Sequence, residues 1–165
     1  VSTVKGSGRL LGIDYGAVRV GLAVTDPDRI LASPLATYTR SAEAADAHYF
    51  STIAKDSQAV GLVVGLPIHS DGRESDKSRE ARQFGAWLSS VTDLPVVYWD
   101  ERFSTARAED ALLEARLNPR DRKARRDRVA AQMILQAYLD AGCPAQGTQA
   151  IESEDLIPPE DMSSR

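Results

Sequence analysis

The chain reads as a mixed α/β domain, and three observations predict it. Three strand-like segments follow one another closely near the start. After them, helix-period and strand-like segments alternate. Two of the later apolar runs, Val60-Gly61-Leu62-Val63-Val64 and Pro95-Val96-Val97-Tyr98-Trp99, lack polar alternation, as strands buried on both faces do. Reached through helical crossovers, these later strands are expected to lie parallel to a neighbour.

In order, residues 1–8 are polar and read as a frayed N-terminus. Leu10-Leu11-Gly12-Ile13-Asp14 is a strand, Tyr15-Gly16 opens a tight turn, and a second strand runs to about Asp26. A third spans Ile30 to Thr39, with Pro34 marking an edge or a bend. Ser41 is a candidate cap for a helix in which Ala45, Tyr49 and Ile53 share a face, ending near Ser57. The Val60 strand runs into Gly65-Leu66-Pro67 and a loop through Asp71-Gly72-Arg73. A helix from about Asp76 to Val91 carries Ala81, Phe84, Leu88 and Val91 as its apolar stripe. The Pro95 strand ends in Asp100-Glu101-Arg102. Ser104 or Thr105 then caps a helix through Ala108, Leu112 and Ala115, closing before Asn118-Pro119. A basic segment precedes a last helix, read from about Asp127 to Ala141 and stopped by Gly142. Residues 143–165, with paired prolines, serines and acids, read as a disordered tail.

At 165 residues, with 42% hydrophobic and 27% charged residues, the chain suits one globular domain. Its single cysteine, Cys143, offers neither an intramolecular disulfide nor a zinc spacing, so a cytoplasmic setting is expected. No apolar run approaches a membrane span or a signal peptide core. The net charge of −4 argues little for nucleic acid, but its distribution does. Residues 116–128 hold seven bases against two acids, whereas the tail from Cys143 holds five acids and one base. Arg120, Arg122, Lys123, Arg125 and Arg126 are therefore candidate phosphate contacts.

Three acids share a property. Asp14 ends the first strand, Glu101 lies just past the last, and Asp127 is read at the start of the last helix, on or near its apolar face. Ligands of such sheets gather at the carboxyl ends of the strands. Carboxylates meeting there repel one another unless a cation neutralises them, and all-oxygen donors suit Mg²⁺ or Mn²⁺. Two such ions about 4 Å apart activate water and stabilise the leaving oxygen of a phosphodiester. Each acid also has an ordinary reading. Asp127 could simply favour a helix N-terminus, and of Asp100 and Glu101 only one is expected to face the site. His48 and His69 have no ligand spacing, and Trp87 and Trp99 read as core residues.

Four segments together resemble the YqgF/RuvX family, associated with processing of pre-16S ribosomal RNA and related to the Holliday-junction resolvase RuvC. They are Gly12-Ile13-Asp14-Tyr15-Gly16 with Arg19 and Gly21; Val63-Val64-Gly65-Leu66-Pro67 with Asp71-Gly72; Asp100-Glu101-Arg102-Phe103-Ser104-Thr105; and Asp127 followed by Ala130-Ala131-Gln132-Met133-Ile134-Leu135. The resemblance spans roughly residues 9–142 and leaves the acidic tail outside. It implies a ribonuclease H-like fold with a five-stranded sheet. It also implies a cytoplasmic, Mg²⁺- or Mn²⁺-dependent nuclease acting on the small-subunit ribosomal RNA precursor, monomeric or weakly dimeric. Asp14, Glu101 and Asp127 would be its catalytic and metal-binding acids, and Arg19 and Arg102 would face phosphate. Competing expectations are a resolvase of branched DNA, a silent RNA-binding module, and an ATP-binding protein of the actin-like sugar-kinase type, for which 165 residues leave no room for two domains.

Overall fold

The computed structural model describes residues 6–103 and 116–145. Five strands form one sheet: β1 (Arg9–Asp14), β2 (Arg19–Thr25), β3 (Ala32–Thr39), β4 (Ala59–Leu66) and β5 (Val96–Asp100), in the order β3-β2-β1-β4-β5. β1, β2 and β3 form the antiparallel meander, and β4 and β5 add in parallel beside β1. The carboxyl ends of β1, β4 and β5 thus share one rim with the start of β2 and the end of β3. A 3₁₀ turn, Glu101–Phe103, continues from β5 on that rim.

Among the described residues three helices cover the sheet: α1 (Glu43–Asp56), α2 (Asp76–Thr92) and α3 (Pro119–Asp140). Strand alternation splits the core in two. Leu11, Ile13, Leu22, Leu62 and Val64 meet Phe50 of α1 and Phe84 and Leu88 of α2. On the other face Leu10, Ala23, Val63 and Trp99 meet Ala131, Ile134, Leu135 and Tyr138 of α3. Trp99 is therefore core, and Trp87 packs at the margin of the first cluster.

β3 is an edge strand, as Pro34 predicts. The register slips between Leu22 and Ala23, whose partners are Ala36 and Pro34, so the proline sits where the ladder is already broken. α2 begins as read, with Ser75 and Ser78 capping each other. α1 does not take Ser41 as its cap. Its N-cap is Ala42, without a side-chain bond, because buried Asp46 does that work from inside the helix. Asp46 Oδ1 accepts from the Ser41 amide and the Tyr38 hydroxyl, both at 2.8 Å.

The larger correction concerns α3. It begins at Pro119, so Asp127 lies in its third turn and does not open it. Asn118 accepts from the Asp121 amide at 2.9 Å and Pro119 fills the first helical position, a strong start signal. The basic segment is helix, since Arg and Lys are good helix formers when their heads stay in water. The expected helix at 104–115, the first five residues of the expected frayed N-terminus and most of the acidic tail lie outside the described residues.

Candidate active site

Asp14 and Glu101 meet at the rim. Of the two adjacent acids ending β5, Glu101 turns toward Asp14, and the two carboxyls hydrogen-bond. Asp100 is fully buried on its own account, where Oδ1 accepts from the Arg102 amide at 2.9 Å and Oδ2 from Arg102 Nε at 2.7 Å. Arg102 also donates to the Ser70 carbonyl at 3.2 Å. The arginine expected to face phosphate thus ties the strand end that carries Glu101 to the β4–α2 loop.

Asp127 arrives from α3, and glycines let it. A Cβ on Gly21 would stand 1.9 Å from the Asp127 carbonyl oxygen. One on Gly12 would stand 2.8 Å from Leu135 Cβ, and one on Gly65 2.5 Å from Ile134 Cδ1 and 2.8 Å from Glu101 Oε1. The helix lies directly on three strands where they have no side chain. Asp127 Oδ2 accepts from Arg19 Nε at 2.8 Å, in a pair left about a quarter to a third in solvent. The three acids are therefore brought together as two plus one. Among the described residues no group of three His, Cys, Asp or Glu is arranged to hold one ion.

The electrostatics record the crowding. Asp14 is pushed up to about 7, first by burial, then by the charges of Glu101 and Asp127 and by the hydrogen bond with Glu101. Glu101 is also raised, mainly by burial, and the bond from Asp14 works against that rise. Both acids are raised, so the pair holds one shared proton above the usual carboxylate range. All three donors are carboxylate oxygens, the set that a hard divalent cation prefers, and a cation is what a buried acid pair lacks.

Without metal, the folded chain binds a proton at Asp14 between about pH 4 and 7 that the unfolded chain has released. A raised carboxylate gives stability at the acid end of that window and loses it as pH rises. Relative to Asp14→Asn, wild type is expected to lose on the order of 2 kcal/mol between pH 4.5 and 7.5, after allowance for residual hydration. Melting curves in EDTA check this, and Mn²⁺ should reverse the loss at the upper pH.

On the α3 side of the rim, Arg19, Thr37, Thr39, Arg120 and Lys123 line a cleft of about 350 Å³, floored by Ala124 and flanked by exposed Val18. The Thr37 hydroxyl donates to the Ala124 carbonyl and pins the second turn of α3 to β3. Arg122 Nε is bound to the Leu117 carbonyl at 2.8 Å. Arg125 and Arg126 lie one turn on, at half-buried and exposed positions. Tyr15 and Arg40, which sequence reasoning did not single out, lie beside the acids on the opposite face of the sheet. Only the place of Tyr15 next to Asp14 could have drawn attention to them.

A meander extended by two parallel strands, with acids at the carboxyl rim and a long helix across one face, defines a ribonuclease H-like nuclease fold. RuvC of Thermus thermophilus, in complex with a Holliday junction substrate, has this architecture. It superposes with a TM-score of 0.52 at 14% identity, covering 82% of this chain and 97% of that one. The chain belongs to the RuvX family, whose model, described as Holliday junction resolvase, matches residues 8–141. A Rhodopirellula baltica protein named "Putative pre-16S rRNA nuclease" is 47% identical over 144 residues, covering 87% of this chain and 83% of that protein. One of the same name from Cereibacter sphaeroides is 44% identical over 134 residues, covering 81% and 84%. Among the described residues no helix is long and apolar enough to cross a membrane.

Proposed function

We propose that this chain is a Mg²⁺- or Mn²⁺-dependent nuclease that hydrolyses phosphodiesters of the 16S ribosomal RNA precursor in the cytoplasm. The observation that carries the reading is the Asp14–Glu101 pair, two hydrogen-bonded acids held half-buried at the carboxyl rim of the sheet. The relatives' names supply the substrate class.

Asp14, Glu101 and Asp127 would hold the ions. When bound, a pair of ions supplies an activated water and neutralises charge on the pentavalent phosphorus. The protein's own contribution is placement. The 3₁₀ turn and the Asp100–Arg102 bonds fix Glu101. The register Asp14↔Gly21 puts the first acid on the rung where α3 is seated. Arg19 holds Asp127 by a charged hydrogen bond that would have to be given up for this acid to serve as a metal ligand. Arg19, Arg120 and Lys123 would grip the strand's phosphates in the α3-side cleft. Arg122, Arg125 and Arg126 would extend that contact along the helix, with Arg102 facing phosphate at the rim.

The test is incubation with a pre-16S RNA fragment and with a four-way DNA junction, each with and without Mn²⁺. Cut RNA and an intact junction are expected, in Mn²⁺ only. Cleavage of the junction alone would make the chain a branched-DNA resolvase. Salt-sensitive RNA binding without turnover would make it a binding module.

A further inference from the structure

A second cavity, of about 430 Å³, opens at the same rim on the α1–α2 face. Its walls are Tyr15, the residue after Asp14; Arg40, just past β3; and Phe84 and Trp87 of α2. Tyr15 and Phe84 have ring centroids 5.0 Å apart, and Phe84 and Trp87 stack at 5.6 Å and 29°. The Arg40 guanidinium lies over both Tyr15 and Phe84, 5.7 and 5.1 Å from their centroids. Its Nε is buried without a hydrogen bond, held only by a 3.5 Å ion pair to Asp46. Three carboxylates line the same walls against this one guanidinium: Asp46 pairs with it, Glu43 accepts from Trp87 Nε1 at 3.3 Å and Glu80 from the Tyr15 hydroxyl at 3.5 Å, and exposed Gln83 stands at the mouth.

We propose that this cavity takes an unstacked nucleobase bearing an exocyclic amine, from the strand whose backbone lies at Asp14 and Glu101. The proposal rests on the nuclease reading and adds a base preference to it. Aromatic faces and a flat guanidinium are surfaces on which a base stacks. The excess of carboxylates repels phosphate, so the pocket does not fit the backbone. Of these, Glu43 and Glu80 are exposed and can accept from an amine, which cytosine presents where uracil presents a carbonyl. Uracil would set oxygen against oxygen there. With the basic cleft on the opposite face, the rim would hold phosphates on one side of the acids and a base on the other.

The test is equilibrium binding of the full chain to the RNA octamers r(C)₈ and r(U)₈ at pH 7.5 in Ca²⁺, followed by fluorescence anisotropy, with each oligomer checked uncut on a gel. The two carry equal phosphate charge and both stack weakly. Wild type is expected to bind r(C)₈ about tenfold more tightly. Trp87→Leu, at a half-buried position, and Glu80→Ala, at an exposed one, should each remove the preference and leave r(U)₈ affinity unchanged. Equal affinities in wild type, or a preference that survives both substitutions, would overturn the base pocket while leaving the strand-binding reading intact. Failure of both octamers to bind would overturn the pocket together with the RNA reading of the rim.

Discussion

Asparagine at position 14 is expected to abolish Mn²⁺-dependent cleavage of the RNA precursor, by about 10³-fold or more, while raising the melting temperature of the metal-free protein at neutral pH. Both effects come from one carboxylate. Asp14 is held near Glu101 and Asp127 at a cost, visible in its rise to about 7. Asn keeps its size and can still donate to Glu101, but brings no negative charge into the cluster. Relief of repulsion worth about 1–2 kcal/mol raises the melting temperature by several degrees in a domain of this size. Cleavage falls because the amide oxygen is a weaker ligand for a hard cation than a carboxylate. Single-turnover cleavage and calorimetry on one preparation measure the two effects. Undiminished cleavage would remove Asp14 from the mechanism, and a lower melting temperature would make its role structural.

Gly21→Ala is expected to be the most destabilising small substitution in the sheet. The new methyl would lie 1.9 Å from the Asp127 carbonyl oxygen, 2.3 Å from its carbon and 3.0 Å from the Arg128 nitrogen. All three are backbone atoms of a helix seated on Gly12 and Gly65 as well, so no side chain can swing aside. Either α3 lifts from β2 or the strand bows, at about 3 kcal/mol or more. Cleavage should fall with it, because the atoms displaced belong to Asp127. Gly142→Ala is the control. Its φ of +84° strains any L residue, but nothing lies within 4 Å, so about 1 kcal/mol is expected, with activity kept. Urea unfolding of the two variants gives the comparison.

The placement of the acids was legible because it follows from topology. Once β1, β4 and β5 are read as parallel, Asp14 and Glu101 must finish on one rim; alternation at a strand end says only that one of Asp100 and Glu101 faces the site, and the family resemblance singles out Glu101. Pro34 announced the edge strand by its missing N–H. The start of α3 was misread because Asn118-Pro119 closes a helix as plausibly as it opens one, and a dense run of charge resembles a loop until its cap is seen. The partners of Arg19 and Arg102 were not legible. Each bonds an acid that only the fold brings near or turns inward, one of them 108 residues away. The Tyr15–Arg40–Phe84–Trp87 pocket unites three distant segments at no recognisable spacing.

Asp14 and Gly21 are partners on one rung of the β1–β2 ladder. Four residues, Tyr15 to Val18, connect the two strands. Adding or deleting one of them would slide β2 by a position, set a bulky neighbour beneath the helix and turn Arg19 to the other face. Length changes in that short connection should therefore be far less tolerated than in the Asp26–Leu31 loop at the opposite end of the hairpin. The length of this hairpin, as much as the identity of the acids, is inherited information about where the chemistry takes place.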